Sequence, residues 1–545
     1  MWNRFINAGW DLARRAMALV CTAMLLLGSA TARGANFRWL GPNPGTETTP
    51  ESGNWNVGNN WIGGAPQSVA TTTLSFKSGA NSYTATNNFA APPFILNAIT
   101  TSDGDATNRD INIAGSQLRM MNNGNTRPKI GHASGTRLFI SNSIEIENNA
   151  QLDLDITGLI ATVGENSAGV VSGTGSSVRK TGDGQFRFTG TASNTYTGLT
   201  NVEGGLLGFQ KDAGKDSVAG DLVVGTDTGT DSSVRAFWFT NNQVKDTSKV
   251  TLRKTGKLDI FGKTETFATL TGLNPGSTLS FDLQGAGALT LTGTGVANEQ
   301  TGFGGKLSAN STNAQLENNV TFTKKGADYT FVYTGDGANY KGAVISEQGD
   351  FRIHGWIGRN PTVPNDGTAC TQAVARAGAT ISGNGWLLCK RTDGRGVLIE
   401  NNGKLKPKKN SPGVLTMDEV YFDPGGLLDM EIDPLGGETS QLHVLGGGVV
   451  IDGAQLSVIL DSPATDWAAT YPIIVNDGSS VIGTFSGLPE GSLVTGYYNA
   501  IPYDFYISYM GGDGNDVVLY RAPIPEPGTL LLGALAAGWF ARRRG

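Results

Sequence analysis

Short runs in which apolar and polar residues alternate recur along almost the whole chain, and they constrain its fold more than any other feature. Leu152-Asp153-Leu154-Asp155-Ile156, Ile144-Glu145-Ile146 and Leu428-Asp429-Met430-Glu431-Ile432-Asp433 alternate cleanly. Leu222-Val223-Val224, Leu258-Asp259-Ile260, Leu289-Thr290-Leu291 and Leu456-Ser457-Val458-Ile459-Leu460 add further short apolar runs. Each is bounded by Gly, Asn, Asp or Thr, the pattern of half-buried strands between tight turns. No stretch of the body keeps a 3.6-residue apolar period for three turns. The 77 glycines and the low charged fraction of 16% also weigh against helix, because Gly costs about 1 kcal/mol relative to Ala in a helix interior. The apolar content is too regular for disorder. The body is therefore expected to be all-β.

So many short, evenly spread strands do not suit one sandwich. A solenoid suits them, because each coil buries its face only against its neighbours. Lys180, Gly182, Tyr196, Gly198 and Gly205 have counterparts 144 positions on at Lys324, Gly326, Tyr340, Gly342 and Gly349. The glycines suit turns that need positive φ, and each Tyr is expected at a corner with its hydroxyl in reach of solvent. These segments, 178–209 and 322–353, resemble the autotransporter-associated β-strand repeat, Lys-x-Gly…Gly-x-Asn-Thr-Tyr-x-Gly…Gly-Gly-x-Leu. The second copy departs from it at Ala338-Asn339-Tyr340 and at Gln348-Gly349-Asp350. Gly53-Asn54-Trp55, Asn60-Trp61-Ile62-Gly63-Gly64, Ser411-Pro412-Gly413 and the closing segment around Gly483–Tyr509 are similar to other parts of such proteins. The resemblance implies a right-handed parallel β-helix on a bacterial surface. Only a few residues separate the strand Asp516–Tyr520 from Glu526, so no membrane barrel follows and the chain is not expected to translocate itself.

Both ends point to export. Arg14-Arg15, the apolar run Ala16–Leu27 and Ala30-Thr31-Ala32 read as a secretory signal peptide over 1–32. At the other end, Pro525-Glu526-Pro527 precedes an apolar run over 528–541 and Arg542-Arg543-Arg544. Fourteen helical residues span roughly 21 Å, short of a ~30 Å hydrocarbon core, with the arginines snorkelling to the cytoplasmic side. Residues 523–545 resemble the PEP-CTERM sorting tail of Gram-negative bacteria. That resemblance implies a short C-terminal transmembrane helix, transient anchoring in the inner membrane, and processing near Pro525-Glu526-Pro527 by an exosortase-like enzyme. The other reading is a simple anchor helix. The expected organisation is 1–32 signal peptide, 33–110 N-terminal β segment capping the solenoid, 111–400 solenoid, 401–520 C-terminal β module and 523–545 sorting tail.

Losing residues 1–32, with three arginines and one aspartate, moves the net charge from -6 to -8. Such a chain does not invite nucleic acid or anionic lipid. Cys370 and Cys389 are the cysteines left, and in an oxidising compartment a disulfide across this loop would contribute about 3 kcal/mol.

Candidate chemistry is sparse. Gly511-Gly512-Asp513-Gly514-Asn515-Asp516 looks like one calcium-binding nonapeptide, with Asp513 and Asp516 as candidate Ca²⁺ ligands; a plain Gly-Asp turn is the other reading. No other cofactor is expected. Asp429, Glu431 and Asp433 share one strand face, as do Asp153 and Asp155, and both sets read as solvated faces. His132, His354 and His443 are isolated and show no metal spacing, and His132 reads as a surface residue. Trp39, Trp55 and Trp61 either cap the open end of the solenoid or stack on carbohydrate. The functional expectation is an exported, non-enzymatic surface or matrix protein, structural or adhesive, whose partners are the export machinery and extracellular polysaccharide. The alternative is a secreted β-helix polysaccharide lyase or glycoside hydrolase.

Overall fold

The computed structural model describes residues 35–42, 49–102, 109–280, 287–309, 320–358, 370–391, 393–408, 413–466 and 469–521. The signal peptide, the sorting motif Pro525-Glu526-Pro527, the apolar tail with Arg542-Arg543-Arg544, and Ser411-Pro412 lie outside the described residues. Among the described residues the one helical element is the 3-10 turn Gly58–Asn60, and no helix is long and apolar enough to cross a membrane.

The chain winds as a β-solenoid in which each strand pairs in parallel with its equivalent one coil on. Thr73–Lys77 pairs with Ala98–Ser102, which pairs with Lys129–His132, then Gln151–Ile156 and Ser177–Thr181. This face is an eleven-stranded sheet ending at Thr269–Thr271, and a twelve-stranded sheet running from Gly53–Asn54 to Asn339–Tyr340 forms the next. Phe94–Leu96, Leu118–Met120, Ile144–Ile146 and Val171–Ser172 give the early coils a third side. Beyond residue 264 an eight-stranded and a seventeen-stranded sheet carry the stacking on. Pairing continues across both expected boundaries: Tyr83–Asn87 pairs with Asp110–Gly115, and Ala379–Gly383 with Lys404–Pro407.

Parallel register stacks like positions into interior columns. Along the first face Leu74, Ile99, Ile130 and Leu154 are aligned and have no exposure. Each fully buried aliphatic side chain is worth roughly 1.5–3 kcal/mol over its exposed form. The alternation in Gln151–Ile156 matches its burial, polar residues half-buried and Leu152, Leu154 and Ile156 inside.

The two ends are closed differently. At the start, Trp39, Trp55 and Trp61 are buried in one cluster with Phe76. Trp39 and Trp61 meet edge-on at 4.8 Å and Trp55 and Trp61 at 5.8 Å. The rings hide the interior of the first coils and are not exposed stacking platforms. At the far end the winding gives way to antiparallel pairing. Leu493–Tyr498 forms a hairpin with Ile501–Gly511, and Asp516–Tyr520 runs antiparallel to both Thr470–Asn476 and Ile501–Gly511. Parallel coils cannot close a solenoid, because the last one would leave its edge and core open.

Candidate functional site

The repeat signature is a set of internal ties. Lys180 continues the interior column, in register with Leu154 and Val202, and is fully buried. Its ammonium donates to the carbonyls of Thr181 at 2.9 Å, Gly182 at 2.7 Å and Gly204 at 3.0 Å. Three donors meet three acceptors, so the turn carbonyls facing the interior are satisfied without water. Lys324 repeats this, donating to Gly326 O at 2.8 Å and Gln348 O at 2.7 Å and lying 5.0 Å from the centre of the Tyr329 ring. Burial pushes both lysines down to about 8. Gly182, Gly205, Gly326 and Gly349 all have positive φ, as the turns around the lysines require.

The tyrosine corner differs from expectation. Tyr196 and Tyr340 are fully buried, and their hydroxyls do not reach solvent. Tyr196 Oη is 2.6 Å from Thr200 Oγ1, and Tyr340 Oη donates to Ala343 O at 2.7 Å. A buried phenol needs an internal partner, and the turn supplies one. Gly198 and Gly342 lie against the previous coil, where a Cβ would press on the carbonyls of Ser176 and Val320 at 2.5 and 2.7 Å.

Two buried ties escape the repeat. Lys211 donates to Gly169 O at 2.7 Å and Thr189 O at 3.0 Å, and burial pushes it to about 8. Glu265 accepts from Trp238 Nε1 at 2.6 Å and the backbone N–H of Gln243 and Val244 at 2.7 and 3.0 Å, while burial pushes its pKa up to about 7. Phase alone could have placed Lys180 inside, since Val178 sits two residues earlier on the inward side. The same phase marks Glu265, which sits on the inward side two residues before Phe267.

The carboxylate faces also need correction. Asp429 and Glu431 are buried, each about 5% exposed, and are not a solvated face. Lys406, from the preceding coil, reaches both at 3.1 Å. Burial works against its charge, but the two carboxylates hold its pKa above the usual lysine value. Asp433 is half-buried and accepts from Ser462 Oγ at 2.5 Å, which with the N–H groups of Gly436 and Leu435 holds its carboxyl below the usual range. Asp155 pairs with Lys129 at 2.7 Å, which lowers its pKa, and Asp153 accepts from Gln151 at 2.7 Å.

His132 is buried rather than on the surface. Its Nδ1 is 2.6 Å from Thr101 Oγ1 and its Nε2 2.9 Å from Thr136 O, so Nε2, which faces a carbonyl, carries a proton. His443 meets Asp477 at 2.9 Å. The nonapeptide 511–519 forms the turn of the last antiparallel hairpin, where Asp516 accepts from the N–H of Asn476 at 2.9 Å. Among the described residues no three His, Cys, Asp or Glu side chains gather to hold a metal. Cys370 and Cys389 occupy equivalent places on paired segments, with Cα atoms 4.3 Å apart, and form a disulfide.

A cleft lies on an outer edge of the central coils. Three successive turns carry Thr334-Gly335-Asp336, His354-Gly355-Trp356 and Asn384-Gly385-Trp386, which line a trench of about 400 Å³ together with Pro275 and Gly304. The middle glycines stack so closely that a Cβ on Gly355 or Gly385 would strike the carbonyl of Gly335 or Gly355. The floor is therefore bare backbone. One wall is polar, with His354 Nδ1 2.5 Å from Asn384 Oδ1. The other is largely aromatic, with Trp356 and Trp386 in register and Trp356 Nε1 donating to Asp336 Oδ1 at 2.6 Å.

The chain matches no family model and no curated protein.

Proposed function

We propose that this chain is an exported rod of the bacterial surface or extracellular matrix, with a structural or adhesive role. The signal peptide 1–32 would take it across the inner membrane, and the tail around Pro525-Glu526-Pro527 would deliver it through an exosortase-like enzyme. The winding would be right-handed, as parallel crossovers overwhelmingly are. The observation that carries this reading is the parallel stacking that overlapping sheets carry, among the described residues, from Asn36–Trp39 to Thr470–Asn476. A rod of that kind presents the same outward faces coil after coil, which suits multivalent contact with a polymer. Asp429 and Glu431, the carboxylates most suggestive of a glycosidase pair, are held by Lys406.

Replacing Pro525-Glu526-Pro527 by alanines tests the route. The protein should remain with the inner membrane; unchanged delivery to the surface leaves only an anchor helix. The enzymatic alternative, a β-helix lyase or hydrolase, has Asp336 and His354 in the trench in its favour. Release of reducing ends or unsaturated products from a polysaccharide panel, abolished by Asp336→Asn, would establish it in place of the scaffold.

A further inference from the structure

We propose that the trench between the Thr334/His354/Asn384 wall and the Trp356/Trp386 wall binds a neutral polysaccharide strand lying along the rod axis. This deepens the adhesive reading above and rests on it.

The tryptophans carry the argument. Six lie among the described residues; Trp39, Trp55, Trp61 and Trp238 are buried, and the remaining two, Trp356 and Trp386, are half-exposed on consecutive coils in the same wall. Paired parallel strands hold them roughly 4.8 Å apart in the backbone. Indole faces at a solvent-lined cleft offer large apolar area with little rotamer entropy to lose, which suits the C–H faces of sugar rings. Opposite them stand a hydroxyl, an imidazole and a carboxamide, short groups that both donate to and accept from sugar hydroxyls.

The charge pattern selects the polymer. Asp336 is the acidic side chain of the trench, and among the described residues no Lys or Arg lines it. A uronate-rich or sulfated polymer would meet a carboxylate with nothing to neutralise it. Trp356 Nε1 and Ala338 N–H both donate to Asp336 Oδ1, so Oδ2 can accept a hydroxyl. The glycine floor lets a ring approach the backbone, and because both walls are columns running across the coils the ligand follows the rod axis.

The test is affinity electrophoresis of the full-length protein through gels containing dextran, galactomannan, mixed-linkage β-glucan or alginate. At least one neutral polymer should retard it and alginate should not. Trp356→Ala and Trp386→Ala should each weaken retardation about tenfold, the scale of one lost aromatic contact. Trp386→Phe should keep most of it, and far-UV circular dichroism should be unchanged in all three. Wild type retarded by a neutral polymer, with the alanine variants retarded equally, would overturn the trench and leave adhesion standing. Retardation by alginate alone would overturn the neutral class. No retardation by any polymer, with the fold intact, would overturn the trench and the adhesive role together.

Discussion

The two lysine coils, 144 residues apart, solve one packing problem with different partners. Around Lys180, three carbonyls take three protons. Around Lys324, two carbonyls and the Tyr329 ring do so. The acceptor that Gly204 supplies in the first coil comes from Gln348 in the second. What the turn needs there is a backbone carbonyl, which any residue provides, whereas the next position keeps glycine in both copies with φ of 58° and 65°. The Asn position went further. Asn194 ties two neighbouring coils, accepting from Val171 N–H at 2.9 Å and donating to Ser217 O at 2.7 Å. Its counterpart is Ala338, whose own N–H donates to Asp336. The second corner has thus lost an internal tie and lies beside the trench wall.

Removing the lysines should break this comparison most visibly. Lys180→Ala orphans three buried carbonyls, so its loss should reach about 3 kcal/mol or more, with Lys324→Ala costing about 2, since an unpaired buried acceptor costs roughly 1–3. Urea unfolding midpoints followed by circular dichroism measure both, and an equal or reversed order would refute the partner count. Asn194→Ala should cost about 1–3 kcal/mol for the same reason, while Ala338→Asn should gain nothing; hydrogen exchange at Val171 should rise only in the first. At the turn, Gly349→Ala should cost at least about 1–2 kcal/mol, because a left-handed backbone now carries a Cβ, which would also press on Lys324 Nζ and the Gly326 carbonyl. Gln348→Gly should stay within about 0.5 kcal/mol; a thermal shift for Gln348→Gly as large as that for Gly349→Ala would show that the Gln side chain matters after all.

The pH dependence tests the same two coils in another way. Both ammonium groups are pushed down to about 8 from their ordinary 10.5. Between those values the unfolded chain binds more protons than the folded one, so their contribution to stability rises with pH through this window and is lowest below pH 8. Wild type should therefore gain on Lys180→Met and Lys324→Met as pH is raised from 8 to 10. A gap that closes instead would mean the carbonyls hold the ammonium charged more firmly than burial expels it.

The trench and the buried ion cluster show where reading by residue stopped. Leu428, Met430 and Ile432 point inward and Asp429 and Glu431 outward, as their alternation requires. Their burial comes from Lys406, which lies 23 residues from Asp429 and one coil away. Likewise His354, Asn384, Trp356 and Trp386 are unremarkable singly, and they form walls because consecutive coils place equivalent positions in columns.

The sequence by itself determined the all-β class, the strand phase, the solenoid stacking and the glycine turns of the repeat, because period two and positive φ are local demands that neighbouring residues meet. Only the tertiary structure decided that Lys180 and Lys324 serve as interior ties, that the tyrosine hydroxyls turn inward, that His132 is buried, and that the last strands close the rod antiparallel. Those outcomes depend in part on what the adjacent coil presents, as Gly204 and Gln348 do to Lys180 and Lys324 across 24 residues and Thr101 does to His132 across 31. Such coil-to-coil register varies with every turn length, so no local pattern encodes it.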